Sequence, residues 1–191
     1  ILTCDNGIAA RKEIAYAKEL GMTVIVTDHH EVPYEDEQKQ EEKDQTAEMN
    51  YKGKRKYILP PADAVIDPKQ PDCNYPYEGI CGATVAYKLM EALYEVTGHD
   101  VDDIDYLIEN VAMATIGDVM DLEDENRIFV REGLEMLKRT ANPGMRSLME
   151  CNGIEKERLN SYHIGFVIGP CLNAGGRLDT AKRALELLRA K

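Results

Sequence analysis

Two short apolar runs near the start of the chain, Ile1–Cys4 and Thr23–Thr27, each stop at an aspartate, and the residues between them keep helical spacing. Ile8, Ala15, Ala17 and Leu20 carry that spacing, and Gly21 closes the segment. Thr23–Thr27 is β-branched almost throughout with no polar alternation, which is how a strand covered on both faces of a parallel sheet reads. Strand, helix and strand in fewer than thirty residues make a βαβ unit with a right-handed crossover. Both runs then turn polar at their carboxyl ends, the edge where open α/β sheets receive ligands. This start commits the chain to an α/β fold: a Rossmann-like parallel sheet flanked by helices, with a more helical C-terminal part.

The remaining punctuation fills in that plan. Glu35 to Met49 is acidic and glutamine-rich and is followed by the basic Lys52–Lys56 stretch. With almost no large apolar residues it cannot offset the entropy of ordering, so a mobile loop or solvated helical excursion is expected over about 35–56. Ala62–Asp67 reads as a third strand. Helices are expected over 83–96, 104–116, 123–138 and 145–150, and a last one over 180–190 with Asp179 as its cap. Ile164–Ile168 is apolar, and the GPCLNAGGRLD stretch after it reads as a loop entering the last helix. The expected organisation is one domain over 1–151 carrying the acidic insertion, then the end of its core and the start of a connecting helix over 152–191.

Charge limits the partners. The formal net charge of the 191 residues is −12, so general electrostatic attraction to nucleic acid or to anionic membrane is excluded, and any polyanion must be met locally. Metal ions on a carboxylate cluster reverse the sign inside a cleft without changing the global balance. The five cysteines form no CxxC pair, which argues for reduced thiols rather than a disulfide framework or zinc ribbon. No run approaches the roughly 18 apolar residues of a membrane span, and the expected location is cytoplasmic.

Asp5, Asp28, His29, His30 and Asp118 together supply the carboxylate and imidazole donors that a divalent ion such as Mn²⁺ takes in octahedral array. Asp5 and the Asp28-His29-His30 group sit at neighbouring strand ends of one βαβ unit, and Asp118 would arrive from a helix end. Each has a plainer reading. Asp5-Asn6-Gly7 is also an ordinary tight turn into a helix, and Asp118 an ordinary helix terminus. The Asp-His-His group resists that treatment, because burying three such side chains unpaired at a strand exit is costly. In GPCLNAGGRLD, Gly175 and Gly176 allow close backbone approach while Asn173 and Arg177 carry donors suited to phosphate.

The order DNG, VTDHH, PADAVIDPKQPDCNYPY, ATIGDVMDL and GPCLNAGGRLD resembles the RecJ single-strand-specific exonucleases of the DHH phosphoesterase superfamily. The likeness covers nearly the whole chain apart from the acidic insertion. It implies a hydrolase with two Mn²⁺ or Mg²⁺ ions that removes nucleotides from the 5′ end of single-stranded DNA in repair and recombination, with single-strand-binding protein or a helicase as partner. It implies that Asp5 bridges the ions, that His29 and Asp118 are ligands, that Asp28 is a ligand or its close support, and that His30 faces the metal and scissile phosphate. Asn173, Gly175, Gly176 and Arg177 fall where such enzymes hold substrate phosphate, and Cys171 stands where an arginine is common. The resemblance also implies an earlier DxDG-type motif and later domains that lie outside this sequence, so the expectation is a fragment weak or inactive by itself.

Two rivals remain at this point: a DHH phosphodiesterase for short oligonucleotides or cyclic dinucleotides, and a non-catalytic RecJ-like binding subunit. One expectation is testable from the sequence alone. In the complete enzyme Arg177→Ala cuts turnover much more than metal affinity, by the roughly 10²–10³-fold that loss of one charge-stabilising donor costs; unchanged turnover in single-stranded DNA hydrolysis removes Arg177 from the site.

Overall fold

The computed structural model describes residues 1–36, 55–178 and 180–190, and Asp179, expected as a cap, lies outside them. They group into two compact units, Ile1–Glu78 and Gly79–Lys191. The boundary expected at 151/152 falls inside the second unit.

The first unit holds α1 (Arg11–Glu19), β1 (Ile25–Thr27), β2 (Tyr34–Asp36), β3 (Arg55–Tyr57) and β4 (Ala64–Ile66). Leu2 bridges Ile25 in parallel, and Ile25 pairs in parallel with Ala64, so three parallel segments lie side by side with β1 in the middle. Alternation along β1 divides its two faces. Val24 and Val26, essentially unexposed, pack with Ile14 and Ala17 of α1, while Thr27 seals the strand end by donating its hydroxyl to Thr3 O at 2.6 Å. At the amino edge of the sheet Asp63 takes Lys18 Nζ at 2.6 Å and Val24 N–H at 2.7 Å, fixing the end of α1 against the starts of β1 and β4.

Gly7 lets the chain turn from the first segment into α1. Its φ of +121° disfavours any other residue, and a Cβ there would sit 2.9 Å from Val26 Cγ1. The helix consequently starts at Arg11 rather than at Ile8, which is buried on its own account.

At the insertion the expected loop or helical excursion is corrected at both ends. Tyr34–Asp36 and Arg55–Tyr57 form an antiparallel ribbon with Tyr34 opposite Tyr57, their rings edge to face at 6.1 Å, and Ile58 N–H to Pro33 O at 2.8 Å extends the ladder. The reason is the aromatic cross-strand pair, which a composition argument about the polar interior misses. Residues 37–54 lie outside the described residues.

The second unit is helical: α2 (Gly82–Thr97), α3 (Ile108–Gly117), α4 (Asp124–Leu137), α5 (Pro143–Cys151), α6 (Ser161–His163), α7 (Gly169–Leu178) and α8 (Ala181–Leu188). The helix expected from 104 begins instead as a 3₁₀ segment, Val101–Leu107, because Asp100 caps it early by accepting Asp102 N–H. Asn142 caps α5 with Pro143 at its first position. The larger correction concerns GPCLNAGGRLD. From Gly169 to Leu178 it is α7, continuous with α6 through one π-helical stretch, Ile164–Ile168. Asn160 starts this run with a capping box, and Ile164, Ile168 and partly buried Leu172 form a stripe against Leu137, Met145, Met149 and Leu159. Burial of that stripe overrides the turn signals of its glycines and Pro170, and the π-helical stretch ends two residues before Pro170, which has no N–H to give an α-helical ladder.

α3 and α4 touch closely at Gly133, where a Cβ would lie 2.4 Å from Ala112 Cβ and 2.6 Å from Ile108 O. In an open helix alanine gains about 1 kcal/mol over glycine. Here Gly133→Ala reverses that sign and costs about 1–3 kcal/mol through overpacking, read as a lower urea midpoint; an equal or higher midpoint contradicts the contact.

Candidate metal centre

Counting three residues on from the paired Leu2, Ile25 and Ala64 reaches Asp5, Asp28 and Asp67. The three parallel segments therefore bring an aspartate to the same row at the carboxyl edge of the sheet. The pairing of β1 with β4 runs one residue past the strands, since Asp28 N–H donates to Ile66 O at 3.1 Å.

Asp28 is 1% exposed and its oxygens are fully engaged. Oδ2 accepts Ile8 N–H at 2.9 Å; Oδ1 accepts His29 N–H at 2.8 Å and pairs with His30 Nδ1 at 2.6 Å. Burial alone would push its carboxyl up, but the bonds from Ile8, the His30 ring and the two histidine N–H groups outweigh it and hold the pKa below the ordinary value. The carboxylate thus ties the turn at Gly7 to the two histidines. With Nδ1–H directed at Asp28, His30 carries its lone pair on Nε2, the carboxylate–histidine arrangement that orients metal-binding imidazoles.

His29 is buried and places Nε2 3.0 Å from Asp5 Oδ1, and the two imidazoles lie with centroids 4.7 Å apart. One ligand atom each from Asp5, His29 and His30 falls within 4.8 Å of the others. A carboxylate and two imidazoles converging this closely suit a divalent transition ion such as Mn²⁺. Asp28 stands behind this group, occupied by its hydrogen bonds. Asp5 has φ +59°, a left-handed conformation uncommon outside glycine, and strain of this kind gathers at functional positions.

Asp118 lies in the second unit as the exposed C-cap of α3, its N–H donating to Ala114 O at 2.8 Å, and Val119 beside it has φ +56°. For a β-branched residue that is a marked outlier. Asn173 is exposed on α7, and Gly175, Gly176 and Arg177 belong to the same helix.

Asp67 stands in the PADAVIDPKQPDCNYPY stretch that carries the resemblance but is not among the candidate site residues read from the sequence. It is 2% exposed, with Oδ1 accepting Lys69 N–H at 2.9 Å and Oδ2 without a hydrogen-bond partner among the described residues. Lys69 in turn reaches Glu31 at 3.0 Å, just beyond the histidines. The signal was present: LTCD, IVTD and AVID each close an apolar strand on aspartate, and only the register shows that the third belongs with the other two.

The model of the DHH family, N-terminal domain, matches residues 1–116. The chain is 38% identical over its full length to the single-stranded-DNA-specific exonuclease RecJ of Bacillus subtilis, covering 21% of that protein. It is 32% identical over 98% of its length to the protein of the same name from Escherichia coli, covering 30% of it. Among solved structures, RecJ from Thermus thermophilus in complex with Mn²⁺ matches 98% of the chain at a TM-score of 0.73 and 31% identity, with 24% of that structure covered. The chain therefore spans less than a third of the length of these relatives. No helix among the described residues is long and apolar enough to cross a membrane.

Burial raises the Asp67 carboxyl to about 6 from 3.8, with the Asp28 charge adding to the rise and Lys69 and His29 opposing it. The folded chain then holds a proton between about pH 4 and 6 that the unfolded chain has released, so stability falls as pH rises through that window, by roughly 2–3 kcal/mol. Asp67→Asn removes this slope in chelator-treated protein and is more stable than wild type at pH 7; denaturant titrations across pH check it, and a retained slope assigns the effect elsewhere.

Proposed function

This chain belongs to the DHH family, and from that premise we propose that it carries the metal-holding core of a phosphodiesterase acting 5′ to 3′ on single-stranded DNA. The observation that supports the reading best is the convergence of Asp5, His29 and His30 within 4.8 Å at the sheet edge, matched by names of relatives that denote single-stranded-DNA exonucleases and by a neighbour in complex with Mn²⁺. In this reading Asp5, His29 and His30 hold Mn²⁺ or Mg²⁺. Asp28 positions His30 and the turn at Gly7. Asp118 enters as a further ligand, and Asn173, Gly175, Gly176 and Arg177 as the phosphate contacts, on the sequence resemblance.

A two-ion site lowers the pKa of a water, orients it in line with phosphorus and stabilises the leaving oxygen. The chain's own residues do the rest. The Asp5 carboxylate supplies negative charge at the exposed side of the cluster, His29 is shielded from water, and Asp28 fixes which nitrogen His30 presents. An arginine fork such as that of Arg177 neutralises charge on the phosphoryl oxygens. The proposal places the complete protein in the cytoplasm, in repair and recombination, working beside single-strand-binding protein or a helicase.

The test uses the full-length protein. Wild type takes up Mn²⁺ in a calorimetric titration and releases nucleotides from 5′-labelled single-stranded DNA. Asp5→Asn and His29→Ala lower Mn²⁺ affinity by at least the roughly 10–100-fold that loss of an outer partner costs, and abolish release. Hydrolysis confined to dinucleotides replaces this substrate with a small one, and absence of Mn²⁺ uptake replaces the enzyme with a binding subunit.

A further inference from the structure

Of the three aspartates in one row at the carboxyl edge, the metal centre as described uses Asp5 and Asp28. We propose that Asp67 is a further positioning residue of that centre: its buried Oδ2 accepts the ring N–H of His29, directly or through one ordered water, when His29 Nε2 is engaged by a divalent cation. The inference rests on the metal-centre reading above.

The local fold does not need the second oxygen of Asp67. The turn after β4 is held by Oδ1 on Lys69 N–H at 2.9 Å, by Gln70 N–H on Asp67 O at 3.3 Å, and by the Gln70 side-chain amide on Val65 O at 3.1 Å. An asparagine or serine supplies the same cap. Yet Asp67 is 2% exposed and Oδ2 has no hydrogen-bond partner among the described residues, an arrangement that costs free energy until a donor is found.

The surroundings single out the donor. Asp28, Lys69 and His29 act on the Asp67 carboxyl through their charge. Asp28 is an acceptor already filled by four N–H groups, and Lys69 Nζ is held by Glu31 at 3.0 Å. His29 follows directly on Asp28, whose N–H donates across to Ile66 O, the residue before Asp67, and its ring Nδ1 is buried. When a cation takes Nε2 of an imidazole, its proton resides on Nδ1, and a carboxylate accepting that N–H orients the ring and raises its basicity. His30 already has this support from Asp28 at 2.6 Å. Asp67 gives His29 the counterpart from the neighbouring strand, and a water bridge spans the gap at little entropic cost.

The experiment compares wild type, Asp67→Asn and Asp67→Ser in the full-length protein. Both variants keep the cap on Lys69 and lose the carboxylate. Expected are melting temperatures in chelator no lower than wild type, Mn²⁺ affinity by calorimetry weaker by roughly 10–100-fold, and a changed ¹⁵N resonance of His29 Nδ1 in the Mg²⁺-loaded protein. Affinity within about twofold of wild type for both variants, against that expectation, overturns the proposal. So do variants that melt well below wild type in chelator, because Oδ2 would then serve the fold. Wild type that takes up no Mn²⁺ overturns the metal-centre reading itself, an outcome distinct from wild-type binding that the variants share.

Discussion

A single buried carboxylate organises the first unit. Asp28 leaves a strand whose alternate side chains are sealed in the core, and it is kept ionised there by N–H groups from two directions: the turn that follows the first parallel segment and the histidines that follow its own strand. Unpaired, a charge at that depth would cost several kcal/mol. Paired, it converts two sequence motifs some twenty residues apart into one rigid object. The ring of His30, and with it the nitrogen available to a cation, is set by that object rather than by packing alone.

Much of this was readable from the chain because the chemistry was improbable by any other account. An Asp-His-His group at a buried strand exit has few neutral explanations, and the β-branched run before it has one pattern. Helix α4 was placed within a residue at each end, 123–138 against Asp124–Leu137, since its apolar spacing agrees with its local propensity. Asp67 was invisible for a different reason. Its strand was expected, but an aspartate after a strand is common, and only pairing fixes which residues stand abreast. The α7 stretch failed through conflict of levels: Gly169, Pro170, Gly175 and Gly176 read as turns locally, whereas the tertiary contacts of Ile164, Ile168 and Leu172 decide for helix.

The acidic balance of the chain fits this economy. With a formal charge of −12, the molecule gains nothing from long-range attraction to a phosphate backbone. Under the proposed function, recognition of a polyanion is conditional on a cation held at the sheet edge, which would reverse the sign of the charge there.

The antiparallel ribbon that begins four residues after His30 has a consequence for how such a chain tolerates change. Its Tyr34–Tyr57 rung holds these two chain positions together, and once two positions are held, doubling the number of residues between them costs only about 0.6 kcal/mol in closure entropy. The rung behaves as an expansion joint: residues can be added or removed between Asp36 and Arg55 while the histidines upstream and β4 downstream keep their places.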